Sequence, residues 1–254
     1  MSKGNASSID RRTVERFYDQ FFERRMLSYR KLGNARLEAA IEFIRPHLRP
    51  GDVVVDIGCG VGIVIEALAR DLPESHFLGV DLSEANIRNA RETVKASNVE
   101  FVLASVTEQF SELRSRIGRS PNAICMVDVI EHVPEVDRPS LFANLADMAS
   151  SDCMLLTTYP SPEYQRHLLK NNPEERQIID NVIEIDELLR EASVAGWRLR
   201  YLKYIDVWHT NQYIHVALAR DLSLKPLPAP PAGLFRQIAR SLRRAVMRPV
   251  PTAR

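Results

Sequence analysis

Residues 53–62 read Val53-Val54-Val55-Asp56-Ile57-Gly58-Cys59-Gly60-Val61-Gly62. A β-branched run closes on an acid, three glycines alternate with other residues, and Ile63, Val64, Ala67 and Leu68 follow at helical spacing. That pattern is a buried parallel strand, a tight turn and a helix N-terminus. Glycine lets the backbone bend sharply and leaves room for a ligand where a Cβ would intrude. The helix start offers free N–H groups and the positive end of its dipole. A dinucleotide fingerprint would read G-x-G-x-x-G. Here the order is D-x-G-x-G-x-G, with the acid two residues ahead of the first glycine. A buried carboxylate in that place would repel a pyrophosphate and suits a ligand carrying cationic groups.

S-adenosylmethionine (SAM) carries both an ammonium and a sulfonium, and residues 56–62 resemble the first motif of the class I SAM-dependent methyltransferases. The resemblance implies a Rossmann-like α/β fold: a seven-stranded, mostly parallel sheet with an antiparallel last strand and helices on both faces. Further along, His76 to Asp81 reads as the second strand, ending in an acid 25 residues after Asp56. An acid at that tip can accept ribose hydroxyls, with Leu82 against the adenine and Ser83 capping a helix over 84–96. The third strand, 99–104, leads to Ser105 and Val106, which the resemblance sets beside the adenine edge. The fourth, 123–128, brings Asp128 to the carboxyl edge of the sheet near the glycine turn. The expected cofactor contacts are therefore Asp56, Gly58, Cys59, Gly60, Asp81, Leu82, Ser105, Val106 and Asp128. The last strands span 198–207 and 212–219, so their connection, Trp208-His209-Thr210-Asn211, falls on the same edge and reads as an acceptor contact or an ordinary hairpin turn.

The string Asp128-Val-Ile-Glu-His-Val133 is similar to the fourth motif of the ubiquinone-biosynthesis O-methyltransferases. Some of those place a divalent metal on the matching acid, glutamate and histidine. Three ligands within five residues are no specific metal signal, and no metal is assigned. A hydroxyl acceptor needs a base; His132 is the first candidate, His209 and Tyr159 the second, and His132 reads equally as a wall of the cofactor pocket. Gly33-Asn-Ala-Arg-Leu37 is similar to a segment of the same enzymes in which an arginine holds the SAM carboxylate. Arg36 is accordingly either a carboxylate clamp or a solvated helix-face residue. The implied reaction moves a methyl group from SAM to a hydroxyl or amine of a small molecule such as a sugar, polyketide or phenolic intermediate. A lipid or lipid-linked acceptor, or SAM binding without catalysis, stand as alternatives. No Asn-Pro-Pro-Tyr type motif is present, and nucleic acid is not an expected partner.

With 254 residues, 45% apolar and 26% charged, the chain suits one α/β domain with extensions. These are a helical cap over 1–50, a catalytic domain over 51–220 with a substrate-lid insertion at 160–183, a Pro-rich linker at 221–231 and a basic amphipathic helix at 232–254. Cys59, Cys125 and Cys153 lack C-x-x-C spacing and read as reduced thiols, with Cys59 lining the loop. Neither a signal-peptide core nor a bilayer-length apolar run is evident, which suggests a cytoplasmic protein. Residues 225–254 hold seven basic residues and no acid; setting them aside turns a net charge of +1 into −6 for residues 1–224. In the tail Leu234, Phe235, Ile238, Ala239, Leu242, Ala245 and Val246 fall on one helical face opposite the arginines. That face suits peripheral contact with the inner face of a membrane, or docking on the body or a second subunit. The sequence does not specify an oligomeric state.

Overall fold

The computed structural model describes residues 33–105, 110–172 and 179–223, together with Thr13 and Arg30. Apart from Thr13 and Arg30, residues 1–32 of the expected helical cap lie outside them, as do Val106, residues 173–178 of the lid, most of the linker and the tail helix. The chain divides after Leu222, and the elements that follow belong to the first unit, Met1–Leu222.

Helix α1 (Ala35–Ile44) starts where the Asn34 side chain accepts from the Arg36 and Leu37 amides, and gives way to a 3₁₀ turn at Pro46. Then come β1 (Val53–Ile57), α2 (Ile63–Asp71), β2 (His76–Asp81), α3 (Glu84–Thr93), β3 (Val99–Leu103), α4 (Phe110–Ile117) and β4 (Ala123–Val127). A 3₁₀ turn (Ile130–His132) leads to α5 (Arg138–Met148), β5 (Met154–Pro160), α6 (Pro162–Asn171), α7 (Ile185–Val194), β6 (Arg198–Ile205) and β7 (Tyr213–Ala219). The seven strands run in the order β3-β2-β1-β4-β5-β7-β6. All pairings are parallel except those of β7, which is antiparallel to both β5 and β6. This is the expected Rossmann-like sheet. Its strand order reverses between β1 and β4, and ligands of open α/β sheets bind in the crevice outside the carboxyl ends at such a point.

Side chains alternate along each strand, so each face of the sheet acquires its own core. On one face Val55, Ile57, Val80 and Met126 pack with Leu141, Phe142 and Leu145 of α5 and with Trp197, whose indole N–H donates to the Phe142 carbonyl at 3.1 Å. On the other, Val54, Phe77 and Cys125 pack under Ile44 of α1, Ile65 and Leu68 of α2 and Ile87 of α3. Each large side chain buried in this way contributes roughly 1.5–3 kcal/mol. Both faces covered is what a near-continuous apolar strand demands.

Candidate active site

The glycine turn is built by its own backbone. The Gly58 and Cys59 amides both donate to the Val80 carbonyl, at 2.7 and 3.0 Å, folding the turn across the end of β2. Gly58 takes φ 68°, and a Cβ there would lie 2.4 Å from a Val129 methyl. Only glycine fits that combination. Cys59 is buried, its thiol pushed well up by burial and the nearby acids, so it lines the turn without being reactive.

Asp81 ties the turn to the second strand. One of its oxygens accepts from the Gly60 amide at 2.8 Å. The other accepts from the Ser83 amide at 2.8 Å and from Asn86 Nδ2 at 3.2 Å. The Ser83 hydroxyl in turn caps α3. Leu82 and Ser105 are half-buried beside this edge. Asp56 is only 3% exposed, and burial, reinforced by the Asp81 charge, pushes its carboxyl up to about 8. At neutral pH it is mostly protonated, which corrects the picture of a standing carboxylate: a cationic group arriving beside it would be what favours its ionisation.

Across the switch point, Asp128 follows β4 in the left-handed region (φ 56°). Its amide donates to the Thr158 carbonyl at 2.9 Å, and its side chain is ion-paired with Arg36. Arg36 is thus no solvated arginine: its side chain turns inward from α1, and its guanidinium also lies 6.0 Å from the centre of the Tyr213 ring. On the 3₁₀ turn, His132 Nδ1 lies 2.6 Å from the Ile179 carbonyl. Because a carbonyl only accepts, Nδ1 carries the proton and Nε2 bears the lone pair. Burial pushes this imidazole below its usual range, so it is neutral. Asn181 straps the segment against the turn, its amide and Nδ2 both donating to the Glu131 carbonyl at 2.9 and 3.0 Å.

The structure separates the three expected bases. Tyr159 is a correction: it is fully buried within the sheet core, its hydroxyl has no hydrogen-bond partner, and burial pushes its phenol up, so it has neither access nor basicity. His209 is exposed in the β6–β7 turn, beside Tyr164 and His167 of α6. His132 alone lies on the turn that follows Asp128. Asp128, Glu131 and His132 do not assemble a ligand set: among the described residues no three His, Cys, Asp or Glu side chains are grouped to hold a metal. Sequence reasoning missed Tyr164, His167 and Tyr213, whose only signal was their placement after β5 and at the start of β7. It also missed Arg30, which donates to the Val61 carbonyl at 2.5 Å and to Glu66 at 2.6 Å, pinning the glycine turn from the N-terminal side. Among the described residues no helix is long and apolar enough to cross a membrane.

A glycine turn held to a carboxylate-tipped second strand, with an acid across the switch point, is the arrangement of a methyltransferase domain. Residues 26–202 match the model of a family described as a methyltransferase domain, and the chain belongs to that family. The ribosomal protein L11 methyltransferase of Thermotoga neapolitana is 35% identical over 80 residues, 32% of this chain and 28% of that protein. This chain therefore spans little more than a quarter of that relative's length. The ubiquinone biosynthesis O-methyltransferase of Hahella chejuensis is 28% identical over 61% of this chain and 68% of its own. Among solved structures, the magnesium protoporphyrin IX methyltransferase of Synechocystis PCC 6803 superposes with a TM-score of 0.66 at 16% identity, covering 84% of this chain and 100% of its own.

Proposed function

We propose that this chain methylates a hydroxyl of a small molecule with SAM as donor. The observation that carries the reading is the glycine turn tied to Asp81 at the carboxyl ends of β1 and β2, beside the strand-order switch where Asp128, paired with Arg36, follows β4. When bound there, SAM would supply an electrophilic methyl group on a leaving group that is already activated. Asp81 would receive the ribose hydroxyls and Asp56 an ammonium, while Arg36 would hold a carboxylate. The glycines admit the ligand's backbone-facing side. His132, with its proton fixed on Nδ1, would take the acceptor's hydroxyl proton on Nε2 as the new oxygen–carbon bond forms and the carbon–sulfur bond breaks. The proton would end on the His132 imidazole, and the departing thioether would keep the electron pair of the broken bond. A base of this kind is worth on the order of 10²–10⁴ in rate. An amine acceptor would need no such base, and the identity of the skeleton, whether sugar, polyketide or phenol, is part of the proposal.

Calorimetry with SAM and with NAD tests the cofactor. Tight binding of SAM by the wild type, weakened at least tenfold in Asp81→Ala, is the expected result; equal binding of the two nucleotides would overturn it. His132→Ala should retain SAM affinity while turnover with a hydroxyl acceptor falls by 10² or more.

A further inference from the structure

Four rings that the catalytic reading leaves unused meet at the carboxyl edge. Tyr164 and His167 come from α6, His209 from the β6–β7 turn and Tyr213 from the start of β7. Ring centres lie 5.5 Å apart for Tyr164–His209, 6.0 Å for His167–His209, and 6.3 Å for both Tyr164–His167 and Tyr164–Tyr213. The set is graded: Tyr213 is 7% exposed, Tyr164 half-buried, His167 and His209 exposed. Its deep end touches the site already described, since the Arg36 guanidinium paired with Asp128 also covers the Tyr213 ring.

The four ring pairs are stacked or tilted. Interplanar angles run from 13° to 48°, so none of the four pairs is edge-to-face and no ring seals its neighbour's face with an edge. The outer wall is also set in advance. Gln212 is 1% exposed, and its Oε1 accepts from the Trp208 amide at 2.8 Å and the His209 amide at 3.1 Å. Two N–H donors fix that orientation of the amide, and it is kept although it leaves Gln212 Nε2 buried without a partner. Asn211, in the left-handed region at φ 54°, donates its amide to Asp206 at 2.7 Å and closes the turn. On the helix side, Asn171 Nδ2 lies 3.0 Å from His167 Nδ1, which makes that nitrogen the acceptor and leaves the His167 N–H on Nε2. The wall thus offers ring faces held at fixed inclination, with an imidazole N–H at the rim.

We propose that Tyr164, Tyr213, His167 and His209 form the acceptor subsite, and that the acceptor presents its hydroxyl on a flat aromatic ring stacked on Tyr164. The face of the half-buried Tyr164 ring can stack on a planar π-system, whereas a saturated ring of the same size holds its hydrogens off the plane and loses that contact. A preset wall also spends little ordering entropy on binding. The inference rests on the methyltransferase reading and narrows its acceptor.

The test compares two probes of one skeleton, 2-naphthol and decahydro-2-naphthol, by equilibrium dialysis against the full chain in saturating S-adenosylhomocysteine, the demethylated donor. The aromatic probe should bind at least tenfold more tightly than the saturated one. Tyr164→Leu should erase that preference, Tyr164→Phe should keep it within threefold, and His209→Ala should lower it. Affinity for S-adenosylhomocysteine should be unchanged in all three variants, which shows them folded. Equal binding of the two probes, no binding of 2-naphthol, or a preference that survives Tyr164→Leu overturns the subsite while leaving the donor site standing. Failure of the wild type to bind S-adenosylhomocysteine overturns the methyltransferase reading itself.

Discussion

Asp56 shows how a single residue can be poor for the fold and still be kept for the proposed site. Its carboxyl is pushed up to about 8 in the folded chain by burial and by Asp81, against an ordinary 3.8. Between those values the folded state holds a proton that the unfolded state has released, so the contribution of Asp56 to stability is greatest below pH 4 and falls as pH climbs towards 8. Four units correspond to a loss on the order of 5 kcal/mol at most. Asp56→Asn removes this titration while keeping the shape. The variant should therefore melt several degrees above the wild type at pH 8.5, the difference should shrink as the pH is lowered and vanish only below pH 4, and its affinity for SAM should drop. Thermal melts across that range are the measurement, and a difference independent of pH would show that Asp56 does not carry the proton. The placement of Asp56 on β1 and of Asp81 at the end of β2 was legible from sequence because a strand end, an acid and glycines at fixed offsets leave little freedom. Tyr159 misled because a residue just beyond an apolar strand looks like an edge residue, whereas β5 runs on to Pro160 and buries it. The inward turn of Arg36 and the proton on His132 Nδ1 depend on partners 92 and 47 residues away, which no local pattern encodes.

At the scale of elements, the sheet and most helices follow from periodicity, and caps mark the boundaries that were read well. Ser83 opens α3 as expected. The same helix stops at Thr93, three residues short of the expected 96, because Val94 is already extended and buried. Helix α1 ends at Ile44 where Pro46 denies it a further amide. The contact of α1 with the sheet carries a prediction. Phe43 lies 4.8 Å from the His215 ring on β7 and 5.8 Å from Tyr201 on β6. His215 is 4% exposed, and burial, with Lys203 opposite it, pushes its imidazole down to about 4. In this case the unfolded state binds the extra proton, so the contribution is full above pH 6.5 and is lost as pH falls from 6.5 to 4, by roughly 3 kcal/mol. His215→Phe removes the titration and keeps an aromatic partner for Phe43. Its acid limb in pH-dependent denaturant unfolding should be shallower than that of the wild type between pH 6.5 and 4, and superimposable limbs would place the acid lability elsewhere. Because Arg36 sits on α1, acid unfolding that begins at this contact would also release the Arg36–Asp128 pair.

Over the whole molecule, the charge distribution sets a problem that the sheet does not answer. Residues 1–224 carry a net −6, while residues 225–254 carry seven basic residues and no acid. The tail helix expected from sequence lies outside the described residues, so its target must be argued from charge and spacing. Each basic residue near an anionic bilayer contributes about 1 kcal/mol. Seven of them, with an apolar face to insert, would suffice for reversible attachment to anionic lipid. The same charges would be attracted to the acidic body, and the two targets differ in their response to lipid. If the tail serves a membrane, the full chain should co-sediment with vesicles containing phosphatidylglycerol but not with pure phosphatidylcholine. Raising salt to 0.5 M should release it, and deleting residues 226–254 should abolish the binding while leaving SAM affinity intact. If the tail serves the body, vesicles of either kind should leave the protein in solution, and the same deletion should instead lower the melting temperature. Screening at 0.5 M salt, where the Debye length falls to a few ångströms, weakens either contact, so lipid composition rather than ionic strength is the variable that decides between them.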